Sequence, residues 1–103
     1  EETPVITDHP ERERFEARLG SRLAGFIDYQ RRGSRLVLVH TEVLEEFAGR
    51  GIGNALARFV LDGVLAAGTR VTIKCPFLRA YVERHPEYAA LATPMPGDRP
   101  AGG

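Results

Sequence analysis

Three glycines at alternate positions, Gly49, Gly51 and Gly53, stand between a β-branched stretch and an amphipathic one. Glycine at such a junction allows unusual backbone dihedrals, and a helix start leaves its first N–H groups unpaired and pointing outward. A phosphate placed there gains charge-assisted hydrogen bonds and a helix-end field worth roughly 0.3–1 kcal/mol. Arg50 adds a positive charge at the rim of the turn. A helix entry that merely needs flexible residues would look the same. Just upstream, His40 and Glu42 lie two residues apart on a predicted strand, which puts them on one face roughly 6–7 Å apart. Either can accept a proton, directly or through water. Their structural alternatives are an imidazole anchoring a strand and a solvated strand-end carboxylate.

Two familiar phosphate loops do not fit. A Walker loop needs Gly-Lys-Ser/Thr, which does not occur. A dinucleotide fingerprint starting at Gly49 needs glycine at position 54, which is Asn54, and an opening β-α-β unit. Further along, Cys75 precedes Pro76-Phe77 and continues the alternation of Val71 and Ile73. Such a thiol can be a nucleophile or a small packed residue, and the alternation favours packing.

The elements that position these residues can be read from periodicity. Phe15, Ala17 and Leu19 alternate with Arg14, Glu16 and Arg18, which predicts a half-buried strand. A second strand covers about 23–30 and a third Arg35 to Val43, with turns at Gly20-Ser21 and Arg32-Gly33-Ser34. These three form an antiparallel meander. Residues 44–50 form a loop. Ile52, Leu56, Phe59, Val60 and Val64 then mark one helical stripe, with Ala55 and Gly63 as small partners and Gly68 as its close. A fourth strand ends at Cys75, where Pro76 blocks its extension. Leu78, Tyr81, Val82 and His85 mark a second helix, and 87–91 one further turn. The order β-β-β-α-β-α is an α/β (α+β) sandwich with a mixed sheet, its last strand parallel to the third through a helical crossover. Residues 1–11 read as a loose N-terminal extension in which Val5 and Ile6 dock, 12–91 as the domain, and 92–103 as a disordered Pro/Gly-rich tail.

Composition sets outer bounds. The 103 residues carry 14 Lys+Arg against 14 Asp+Glu, a formal net charge of zero, which gives no reason to expect a nucleic-acid or membrane partner. One cysteine excludes an intramolecular disulfide or a multi-cysteine zinc site, and His9, His40 and His85 lack ligand spacing. No apolar run approaches the roughly 20 residues of a membrane span. The first residues lack a signal-peptide layout, so a cytoplasmic location is expected.

The segment Ala48-Gly49-Arg50-Gly51-Ile52-Gly53 resembles the central motif of the GNAT superfamily of N-acetyltransferases, Gln/Arg-x-x-Gly-x-Gly/Ala. It departs from that motif at Ala48. The chain is most similar to short stand-alone members with a His-Thr-Glu-Val strand end (40–43), a Cys-Pro-Phe turn (75–77) and a Tyr…His-Pro-Glu-Tyr segment (Tyr81, 85–88). The resemblance covers roughly residues 12–91. It implies a minimal GNAT fold and transfer of an acetyl group from acetyl-CoA to an amine, either a small molecule or a protein lysine. It places the CoA pyrophosphate on the amides of Gly49, Arg50, Gly51, Ile52, Gly53 and Asn54. The pantetheine arm would run between the third and fourth strands, near Thr41, Glu42, Val43 and Leu44, with Cys75, Phe77 and Tyr81 alongside. A backbone amide of the earlier strand would hold the acetyl carbonyl. Glu42 or His40 would be the base and Tyr81 the acid toward the departing thiolate, with an acetylated Cys75 as the other route. Lys74 is solvated or meets the nucleotide phosphate. A non-catalytic acyl-CoA-binding module that regulates a partner is the rival reading, and the acceptor is not specified by the sequence.

Overall fold

The sheet is one strand larger than the alternation of apolar and polar residues predicts. The computed structural model describes residues 3–92 and contains β1 (Val5–His9), β2 (Arg14–Leu19), β3 (Arg22–Arg32), β4 (Arg35–Val43) and β5 (Arg70–Ile73). They follow the order β1-β2-β3-β4-β5. The first four are antiparallel, and β5 lies parallel to β4 after a crossover through α1 (Ile52–Ala67). That is the mixed α+β sheet expected. The correction is β1: residues 5–9 are not loose but pair in register with β2, from Val5↔Arg18 to His9↔Arg14. Five residues with only two apolar side chains carry too little pattern to announce a strand. A hydrogen bond secures it, as Tyr29 on β3 donates to Asp8 on β1 at 2.7 Å. The predicted tail lies, from residue 93 onward, outside the described residues.

One face of the sheet carries the core. Phe15, Ala17 and Leu19 on β2, Ala24 and Ile27 on β3, and Leu36 and Leu38 on β4 meet Ile52, Leu56, Ala57, Val60, Leu61 and Val64 of α1. The stripe on α1 is rotated from the predicted one, because Leu61 is buried while Phe59 is 47% exposed. Both satisfy three- and four-residue spacing, and only tertiary packing chooses between them. Gly68, at φ 67°, closes the helix in the left-handed region. α2 (Pro76–Arg84), a 3-10 turn (Pro86–Tyr88) and α3 (Ala89–Ala92) follow. Tyr88 donates to Asp62 at 2.5 Å and Glu87 faces Arg58 at 3.7 Å, so this segment is fastened beside α1 on the same side of the sheet.

The other face is polar, with no helix over it among the described residues. Its centre is Glu16, 1% exposed beneath Arg12 (2.9 Å), Arg18 (3.1 Å) and His9 (3.3 Å). Burial pushes this carboxyl up, but hydrogen bonds from Arg18 and Arg12 and the charges of His9 and Arg12 outweigh it and hold it below its ordinary value. Among the described residues no helix is long and apolar enough to cross a membrane.

Two tyrosines make the fold sensitive to alkali. Burial, then the hydrogen bond and charge of Asp8, push Tyr29 up to about 12, and burial with Asp62 does the same to Tyr88. A folded-state pKa above the unfolded value means the contribution is complete below about pH 10 and is lost as pH rises through about 12. Urea unfolding of the wild type is expected to show falling stability across that window. Tyr29→Phe should flatten part of the fall and cost about 1 kcal/mol at pH 8; an unchanged pH slope would contradict this assignment.

Candidate functional site

The run Val37-Leu38-Val39-His40 reads as unbroken strand, yet its pairing slips. Tyr29 faces Leu38 and Asp28 faces His40, which leaves Val39 without a partner on β3. Such a bulge bends its strand and increases local twist. Pairing with β5 stops at the same place, Leu38↔Ile73. The N–H groups of Lys74 (2.9 Å) and Cys75 (3.2 Å) both close on the Leu38 carbonyl, and Pro76 then begins α2. From Val39 to Val43 the β4 edge turned toward β5 therefore has no strand beside it among the described residues.

Which backbone groups face this opening follows from one bond. Leu44 N–H donates to the Ala24 carbonyl at 2.9 Å, across to β3. Backbone direction alternates along a strand, so Glu42 also turns its N–H and C=O to β3, whereas Thr41 and Val43 turn theirs into the opening. Of the four residues expected to offer backbone here, Thr41 and Val43 are available, and the amides of Glu42 and Leu44 are committed elsewhere.

The bulge also reverses the faces of the side chains. Leu36 and Leu38 enter the core before it; Thr41 and Val43 point to the helical side after it. His40 and Glu42 stand on the outer face, where His40 Nε2 lies 3.2 Å from Glu42 Oε1. His40 meets the Phe26 ring edge-on at 6.4 Å, and the Arg14 guanidinium covers that ring at 3.9 Å while contacting Asp28 at 3.4 Å. Cys75 is on the helical side, just beyond the end of β5 and 2% exposed, with its thiol donating to Thr41 Oγ1 at 3.3 Å. The proton acceptors and the thiol, neighbours in the sequence-based reading, thus sit on opposite sides of β4.

The glycine turn lies at the end of this opening. Gly49 and Gly51 have φ of 82° and 76°, and apart from their chain neighbours no described residue comes within 4 Å of where a Cβ would stand. The first intrahelical bond runs from Ala55 N–H to Gly51 O, so the amides of Ile52, Gly53 and Asn54 have no acceptor in the helix. A Cβ on Gly53 would come within 3.1 Å of Phe77 Cζ and 3.6 Å of Val43 Cγ2, so helix start, strand end and the first turn of α2 meet here. Tyr81, one turn further along α2, is buried among Phe77 (ring centroids 6.4 Å), Tyr88 (6.0 Å) and His85, which stacks on it at 3.9 Å. His85 Nδ1–H donates to the Tyr81 carbonyl at 2.7 Å, which ties the imidazole to the last turn of α2.

Sequence reasoning missed three participants: the Val39 bulge, buried Phe47, and Arg22. Arg22 and Arg50 both place their guanidinium over the Phe47 ring, at 5.1 and 5.6 Å. Nothing in the spacing of Arg22 to the glycine turn marks it. Helix-start amides without an acceptor among the described residues, beside a strand edge with outward N–H and C=O groups, suit a ligand with a phosphate head and an extended amide-bearing arm.

Comparisons with known proteins agree in family and fold. A family profile described as GCN5-related N-acetyl-transferase matches residues 14–91. Protein NATD1 of Homo sapiens is 35% identical over 86 residues, covering 81% of this chain and 76% of that protein. Protein NATD1 of Danio rerio is 33% identical over 91 residues, 84% of this chain and 83% of that protein. Among solved structures, a ribosomal-protein-alanine N-acetyltransferase from Brucella melitensis biovar Abortus 2308 aligns with a TM-score of 0.56 at 19% identity, over 70% of this chain. The chain spans 59% of that protein's length, and the likeness is one of fold.

The enclosure of Cys75 has a direct consequence. In the folded protein a small disulfide reagent is expected to label it at least about 100-fold more slowly than in urea, because access requires local opening. Equal rates would mean that the thiol is open to the groove.

Proposed function

Because the chain belongs to the GCN5-related N-acetyltransferase family, we propose that it transfers an acetyl group from acetyl-CoA to an amine. The observation that supports this reading is the β4 opening beside the glycine turn, with outward Thr41 and Val43 backbone at one end and free helix-start amides at the other. In this reading the amides of Ile52, Gly53 and Asn54 hold the pyrophosphate, with Gly49 and Gly51 clear of side chains and Arg50 at the rim. Thr41 and Val43 hold the pantetheine arm, and Phe77 flanks it. Acetyl-CoA supplies an activated thioester carbonyl as co-substrate.

The protein's own residues then manage charge and protons. An outward N–H of β4 polarises the carbonyl toward the attacking amine. The His40–Glu42 pair, whose Nε2 and Oε1 lie 3.2 Å apart, takes the amine proton. Tyr81 returns a proton to the departing sulfur. Cys75, nearly enclosed and bonded to Thr41, favours direct attack over an acetylated cysteine.

One observation favours the rival reading of a non-catalytic acyl-CoA-binding regulatory module. His40 and Glu42 stand about half exposed on a sheet face that no helix covers among the described residues, so little among those residues encloses an acceptor. Calorimetry with acetyl-CoA, followed by thiol release with a panel of small amines and lysine peptides, separates the two. The enzyme reading expects turnover that falls about 100-fold in Glu42→Gln and in Tyr81→Phe with acetyl-CoA affinity kept, and activity retained in Cys75→Ala. Binding without turnover for any amine would favour the module, and no binding at high micromolar acetyl-CoA would defeat both.

A further inference from the structure

Arg22 opens β3, and its strand end lies beside the end of β4, since Gly25 pairs with Val43. It therefore hangs at the same end of the sheet as the glycine turn, although 27 positions separate it from Gly49 in the sequence. Its guanidinium lies over the Phe47 ring, and so does that of Arg50, which belongs to the turn itself. Phe47 is buried, which makes it a fixed platform that gathers two arginines next to the free amides of the helix start. Arg22 is also paired with Glu46, and both side chains are open to solvent, at 66% and 52%. An exposed pair of this kind is worth about 0–1 kcal/mol, little enough to be exchanged for a better anion. A phosphate monoester is such an anion: it carries more charge than a carboxylate and accepts a bidentate guanidinium.

We propose that Arg22 and Arg50, gathered on Phe47, form a site for a terminal phosphate monoester, and that Glu46 holds Arg22 in place until the phosphate replaces it. The proposal rests on the acetyl-CoA reading above and sharpens it. Coenzyme A carries a 3′-phosphate on its ribose, outside the pyrophosphate, and this is the group the two arginines would take. Arg22 then distinguishes coenzyme A from its 3′-dephospho form, while the glycine turn binds both alike. Phe47 serves as the positioning residue, since it touches the guanidiniums and not the phosphate.

Calorimetric titration of the full chain with coenzyme A and with 3′-dephospho-CoA tests this. The wild type is expected to bind coenzyme A about tenfold more tightly. Arg22→Met should remove most of that preference and leave the affinity for the dephospho form unchanged, and Arg22→Lys should restore part of it. Glu46→Gln, which frees Arg22, should strengthen coenzyme A binding alone. Equal binding of the two ligands by the wild type, or an Arg22→Met loss shared equally by both, would overturn the proposal while leaving the acetyl-CoA reading intact. An unchanged Glu46→Gln would overturn the exchange. Failure of the wild type to bind either ligand would remove the acetyl-CoA reading and this inference together.

Discussion

One unpaired residue, Val39, governs the geometry on which everything else depends. A regular β4 would have continued its ladder with β5 and closed the sheet. The bulge turns the second half of the strand aside, and Pro76 prevents β5 from following. The same slip exchanges the faces of the side chains, which sends Thr41 and Val43 to the helices and His40 and Glu42 to the open face. It also decides which amides are spent on β3 and which are offered to the opening. Backbone geometry, polar faces and access thus share a single local cause.

An opening of this kind persists only if its borders are held from elsewhere. On one border Gly25 lets β3, β4 and α1 come together: a Cβ there would meet the Glu42 carbonyl at 2.7 Å and Ile52 at 3.0 Å. On the other, the Tyr88–Asp62 hydrogen bond fixes the turn after α2 to α1, and Tyr81 packs between Tyr88 and Phe77, the residue that reaches Gly53. Burial of side chains such as Leu56, Leu61 and Leu78, each worth roughly 1.5–3 kcal/mol, supplies the stability against which an unpaired strand edge is maintained. The outer face relies on charge instead, with Glu16 as the shared counter-ion of several cations.

Much of this was legible in the sequence because it rests on periodicity and punctuation. Strand alternation at 15–19, the extent of β4, the glycine entry of α1, its close at Gly68 and the proline start of α2 are local rules that the chain obeys. What was not legible depends on partners distant in sequence. β1 is recruited by pairing and by Tyr29, not by its own composition. The choice of Leu61 over Phe59 is made by the sheet below. The bulge hides inside a uniform β-branched run, and so the separation of Cys75 from the His40–Glu42 pair was hidden with it. Arg22 reaches the glycine turn only because antiparallel pairing folds β3 back beside the end of β4.

The central claim is that the open edge of β4 receives the arm of the co-substrate, and residue-resolved amide hydrogen exchange tests it most directly. In the free protein the Thr41 and Val43 amides should exchange quickly, whereas those of Glu42 and Leu44, bonded to β3, should be protected. Saturation with coenzyme A should slow Thr41 and Val43, together with Ile52, Gly53 and Asn54, and leave Leu44 nearly unchanged. Protection of Thr41 and Val43 without ligand, or saturation that leaves their exchange unaltered, would contradict the account.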